Sequence, residues 1–164
     1  MPPRPDSAPG AHRRFVPAGT VEGPGATLAT GSLPTLPELL ALDEGARAAA
    51  RGVRLAPGDA LEDLLPELDR LDLVAVEFPA FTDGRGFSHA RRLRRVHGFA
   101  GELRAVGDVR PDQARQMLAC GIDALEFAEP PDPALLERLV NRLPAGYQPS
   151  YRRVADVVPG RAGA

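Results

Sequence analysis

The sequence predicts an α/β protein on a parallel sheet of four to five βα units. From residue 53 onward, short runs rich in Val, Leu and Ala alternate with amphipathic segments of helical period. Successive strands are separated by about ten or more residues, which requires crossover connections and so a parallel sheet. Two architectures satisfy this pattern: a half-TIM-barrel-like array of βα units and a small open sheet of the doubly wound kind. The even spacing and the lack of a nucleotide fingerprint favour the half-barrel.

Residues 1–37 hold 8 of the 18 prolines and 5 of the 17 glycines and show no apolar periodicity. They are expected to form a disordered or loosely attached tail that buries too little to offset its ordering entropy. Pro37 then opens a short helix that Gly52 ends. "VRLAP" (53–57) reads as a strand. "PGDALEDLLPELDRL" (57–71) reads as a helix, with Asp59 as N-cap, Glu62 three residues later, and Leu61, Leu64, Leu65 and Leu68 as its apolar stripe. Pro66 interrupts its middle. "DLVAVEFP" (72–79) is a strand. "SHARRLRRVHG" (88–98) is a helix capped by Ser88 and closed by Gly98, with Ala90, Leu93 and Val96 on one stripe.

"GELRAVG" (101–107) is the next strand, and "PDQARQMLACG" (111–121) a helix from Pro111 to Gly121. "IDALEF" (122–127) is a strand and "PDPALLERLVNRL" (131–143) a helix. "YQPSY" (147–151) is a candidate last strand, and residues 152–164 are expected to fray. Residues 38–151 thus form one βα domain.

Composition removes several function classes. All 20 basic residues are Arg, so there is neither a Schiff-base lysine nor a P-loop lysine. The net charge is −2 and aromatics make up 5%, which gives no reason to expect a nucleic-acid partner. No apolar run reaches membrane-span length. Cys120 is the single cysteine and cannot form an internal disulfide or hold a metal cluster alone. Burial against the core explains it, and a reducing cytoplasm suits it. His89 and His97 have no His or acid at i+4 to complete a metal pair. No metal or cofactor is expected.

Ligands of parallel α/β folds sit at the carboxyl ends of the strands. In "PAFTDGRGFS" (79–88), Gly84 and Gly86 can adopt positive φ, and Ser88 opens a helix whose N-terminus, beside Arg85, would attract an oxyanion. The same letters describe an Asp-Gly turn in which Asp83 bonds its own backbone. In "GDVRPDQ" (107–113), Asp108 follows the strand that carries Arg104. Arg104 needs a buried partner, which Asp83 or Asp108 could supply, as a ligand site or as a structural lock. Asp112 and Gln113 begin the next helix, where Asp112 also suits the helix dipole. Arg91, Arg92, Arg94 and Arg95 form a basic run that reads as a solvated face or a docking surface for an acidic protein.

The stretch 78–127 carries Phe78, Pro79, Phe81, Asp83 to Gly86, Ser88, Ala90, Leu93, Arg94, Gly101 to Ala105, Gly107 to Val109, Asp112, Gln113, Cys120 and Gly121 in order. This pattern resembles the bacterial family known as domain of unknown function 934, whose members are commonly labelled probable oxidoreductases involved in sulfite reduction. Ile122 stands where that family usually has an aromatic. The resemblance implies a cytoplasmic accessory role beside assimilatory sulfite reductase, without a known reaction or catalytic residues. It also favours one shared site of Asp83, Gly84, Arg85, Gly86, Ser88, Arg104, Asp108, Asp112 and Gln113 over two unrelated turns. Such a site would bind a small oxyanion or the reductase. An enzyme using Asp83 or Asp108 as general base, and an interaction module using the arginine run, are the alternatives.

Overall fold

The structure, a computed structural model, describes residues 13–15, 24–129 and 131–141. It contains a five-stranded sheet in the order β1-β5-β4-β3-β2. These strands are β1 (Arg13–Phe15), β2 (Gly52–Leu55), β3 (Leu73–Phe78), β4 (Glu102–Gly107) and β5 (Ala124–Phe127). The strands β2 to β5 are parallel and lie side by side in chain order, while β1 adds antiparallel to β5. The sheet is open. Its strand order never reverses, so it is wound in one direction, as consecutive βα units of a barrel are, and not doubly wound.

The helices are α1 (Leu36–Ala41), α2 (Glu44–Ala49), α3 (Leu61–Leu64), α4 (Arg85–Arg95), α5 (Ala114–Ala119) and α6 (Pro133–Asn141). Strand alternation turns Val74, Val76, Phe78, Leu103 and Ala105 to the face that packs on Leu39, Leu64, Leu93 and Met117. This is the main core. The opposite face presents Leu73, Ala75 and Val106, covered by Leu28 and Leu33. Right-handed crossovers from a strand to its next neighbour place every connecting helix on one side, so the second face needs another cover.

That cover comes from the stretch expected to be a tail. Pro24–Thr27 and Thr30–Ser32 form 3₁₀ turns, and Arg13–Phe15 pairs with Phe127–Leu125. Residues 24–37 are therefore part of the fold. They show no periodicity because irregular turns bury individual side chains, here Leu33 and Leu28, and not a stripe. The remainder of the expected tail, the strand at 147–151 and the fraying segment at 152–164 lie outside the described residues.

Local chemistry shifts several boundaries. The helix expected after Pro37 is two helices. Thr35 caps α1 in a capping box with Glu38, and the Asp43 carboxylate accepts from Ala46 N–H to start α2. In the 57–71 segment Asp59 does not cap the helix. Its carboxylate accepts from Ala56 N–H at 2.7 Å, and α3 starts after Ala60. Pro66 converts the second half to a 3₁₀ helix, Leu65–Arg70.

Candidate functional site

The loops after β3 and β4 lie side by side, because those strands are hydrogen-bonded neighbours from Leu73↔Glu102 to Phe78↔Gly107. Gly107 closes β4 with φ +98, and a β-carbon there would stand 2.5 Å from the Phe78 carbonyl oxygen. Only glycine lets β4 turn this close to β3. The next N–H, of Asp108, donates to that carbonyl at 2.7 Å.

Asp108 then reaches back across the gap. Its carboxylate accepts from Phe81 N–H at 3.1 Å, and Gln113 Nε2 donates to the Phe81 carbonyl at 3.3 Å. Phe81 is held at both ends of its main chain by the neighbouring loop, while the residue as a whole is 44% exposed. The Arg110 guanidinium lies 4.6 Å from the ring centroid and is paired with Asp108 at 3.2 Å. That pairing raises the Arg110 pKa above its ordinary value.

Asp83 serves the start of α4. Its Oδ1 accepts from Arg85 N–H at 3.1 Å, and its two oxygens take the Arg85 guanidinium at 3.0 and 2.8 Å. These bonds to Arg85 hold the Asp83 carboxyl below the usual carboxylate value. The carboxylate occupies the place at the helix N-terminus that an incoming oxyanion would use. Asp83 is also the lesser exposed of the two, with side chains 16% against 64% exposed.

The fold gives several of the expected site residues other roles. Ser88 is exposed inside α4 and does not cap it; the N-cap is Gly84, with Asp83 satisfying the first N–H. Neither Gly84 nor Gly86 has positive φ, which among the described residues belongs to Gly98, Gly107 and Gly121. Gly86 is needed for packing, since a β-carbon there would meet the Phe78 ring at 2.7 Å. Asp112 is exposed and acts on Arg110 through its charge.

Arg104 joins neither Asp83 nor Asp108. It lies on the second face and pairs with Glu102 at 2.9 Å. Arg94 is not on the wet face of α4. It is 3% exposed, ion-paired with the buried Asp123, and donates to the carbonyls of Phe99, Gly101 and Gly121. Arg91, Arg92 and Arg95 do face outward. Arg92 meets Glu62 of α3 at 2.7 Å.

Sequence reasoning missed Phe81 and Arg110 as site residues. The available signal was an aromatic inside a loop otherwise made of turn residues, where no periodicity called for it. Cys120 is buried as expected, and burial pushes its thiol pKa up. Among the described residues no helix is long and apolar enough to cross a membrane, and no group of three His, Cys, Asp or Glu could hold a metal ion. A surface cleft of about 470 Å³ is lined by Glu44, Arg47, Ala48, Glu67 and Arg70, none of them a predicted site residue.

The geometry at the strand ends is thus two loops bound to each other, with the Asp83 and Asp108 carboxylates engaged and the Phe81 ring presented outward. Compared with known families, residues 52–157 match the family model described as bacterial protein of unknown function, DUF934. No curated protein matches the chain.

Proposed function

The chain belongs to the bacterial family of unknown function DUF934, and from that premise we propose that it is a non-catalytic accessory protein of assimilatory sulfite reduction that docks the reductase through the carboxyl ends of β3 and β4. The observation that carries this reading is the double main-chain clamp on Phe81 by Asp108 and Gln113. A half-exposed aromatic residue whose main chain is already fixed, with Arg110 over its ring, offers a partner a pre-ordered anchor at low entropic cost. The arrangement favours binding over proton transfer, because Asp83 and Asp108 are both engaged by a guanidinium and a main-chain N–H. A low pKa also makes Asp83 a poor general base. The sulfite context comes from the family resemblance of residues 78–127.

Binding of purified sulfite reductase to the full chain tests the proposal. Phe81→Ala is expected to weaken association by about thirtyfold, the loss typical of a central aromatic anchor. No association with the wild-type chain sinks the partner assignment. Turnover of a sulfur metabolite that Asp108→Asn abolishes sinks the non-catalytic reading. Growth of a deletion strain places the step: sulfide alone should rescue it, and growth on sulfate and sulfite as well would remove the pathway.

A second reading rests on the outward Arg91, Arg92 and Arg95 of α4 as a surface for an acidic partner. Reversing Arg91 and Arg95 to Glu separates the two, since only the second reading predicts loss of binding.

A further inference from the structure

The face of the sheet turned away from the helices carries a buried arginine held by two main-chain carbonyls and three side chains. Arg104 is 2% exposed in the middle of β4. It donates to the carbonyls of Leu28 at 2.7 Å and Gly25 at 3.1 Å, and to Thr30 Oγ1 at 3.1 Å. On the sheet itself it pairs with Glu102 at 2.9 Å and with Glu126 at 3.9 Å. Thr30 Oγ1 in turn donates to Glu126 at 2.6 Å. One short segment therefore satisfies most of a buried guanidinium and one carboxylate.

The same segment is fitted to the face at three further points. Leu28 and Leu33 lie on Leu73, Ala75 and Val106. At Gly25 a β-carbon would stand 2.4 Å from the Asp72 carbonyl oxygen, so only glycine seats there. Residues 24–34 fall outside the part of the chain that matches the family, 52–157, whereas Asp72, Leu73, Ala75, Arg104, Val106 and Glu126 fall inside it. The receiving surface belongs to the family fold, and its occupant lies outside the matched region.

We propose that this second face is a peptide-binding site, filled in this chain by its own residues 24–34. The ligand class is a short, bent peptide carrying glycine, leucine, a hydroxyl residue and leucine at the spacing of Gly25, Leu28, Thr30 and Leu33. Arg104 recognises its carbonyls, Glu126 its hydroxyl, and the apolar strand residues its leucines. Occupation in cis closes the site to the same chemistry presented in trans. This site is separate from the Phe81 platform, and its fate does not depend on the docking proposed there.

The test vacates the site without altering the sheet. Gly25→Val in the full chain should expel the segment through the Asp72 contact. A labelled synthetic peptide of residues 22–36 should then bind the variant at least about tenfold tighter than it binds wild type, as free ligand no longer competes with a tethered one. The same peptide carrying valine at its Gly25 position should not bind. Three results overturn the proposal: a folded Gly25→Val chain that does not bind the peptide, equal binding by wild type and variant, or loss of cooperative unfolding in Gly25→Val. The last would make the segment an inseparable part of the core.

Discussion

Arg92 and Arg94 stand two residues apart on α4, and the helix turns one into water and the other into the core. Arg94 closes the amino-terminal ends of β4 and β5, since it binds Gly101 O and Gly121 O, each at 3.1 Å, and the buried Asp123. Arg94→Ala leaves Asp123 buried without its cation and should cost about 3–5 kcal/mol of stability in urea unfolding. Arg92→Ala, which loses only an exposed partner, should leave the midpoint nearly unchanged. The four arginines look alike as letters; which of them is internal depends on the rotation of α4 against a sheet that the local pattern does not show. Asp83 allows a prediction in pH. Its folded pKa is depressed by Arg85, so its contribution is present above the unfolded carboxylate pKa and is lost as pH falls through the lower folded value. A carboxyl NMR titration should give Asp83 a midpoint below that of an ordinary aspartate, moving back up in Arg85→Ala. An unshifted wild-type midpoint would mean the Asp83–Arg85 pair does not form in solution.

At the scale of elements, the alternation that announced four parallel strands is borne out by β2 to β5. Strands buried on a helical face must be apolar, and that requirement is local enough to read. Helix starts were less legible. Several side chains could cap a given turn, and long-range bonds decide among them: Asp59 turns back to Ala56, and Asp83 takes the role expected of Ser88. The strand-end loops lie where the sequence places them, and Asp83 bonds its own backbone as the turn reading has it, but the sequence does not show the use of Asp108 and Gln113. By residue type Asp108 and Gln113 suit a ligand, and in the fold they hold Phe81. Whether a carboxylate faces a ligand or a neighbouring main chain depends on loop packing, and residue type is silent on it. Gly107 is where this packing is most exposed to test. Gly107→Ala adds a β-carbon 2.5 Å from the Phe78 oxygen at φ +98, and should cost about 3 kcal/mol. Amide exchange at Phe81 should quicken, and docking should weaken although residue 107 has no side chain to offer a partner. Unchanged exchange at Phe81 would show that the two loops are ordered independently.

For the whole molecule, the decisive fact is that, among the described residues, the α-helices pack on one side of the sheet. Sequential parallel strands with right-handed crossovers lead to that arrangement, and it leaves β3, β4 and β5 with a face that an irregular segment covers. Arg104 shows why the sequence could not assign this face. A buried arginine demands acceptors, and the nearest acids in the strand-end loops, Asp83 and Asp108, were reasonable partners. The acceptors are instead Glu102, two strand residues away, and carbonyls some 76 and 79 residues distant, at Leu28 and Gly25. Carbonyls are invisible to any reading of side chains. The consequence is a separation of scaffold from site that can be measured. Arg104→Ala should destabilise the fold by about 3–5 kcal/mol, because Glu102 is left buried without its cation. It should also loosen residues 24–34, seen as faster amide exchange there. In the folded fraction, affinity for the partner at Phe81 should be that of wild type, since Arg104 contacts neither strand-end loop. If Arg104 instead belonged to a shared site with Asp83 and Asp108, affinity would fall along with stability. Scaled to the folded fraction, binding therefore distinguishes an arginine that holds the second face closed from one that takes part in docking.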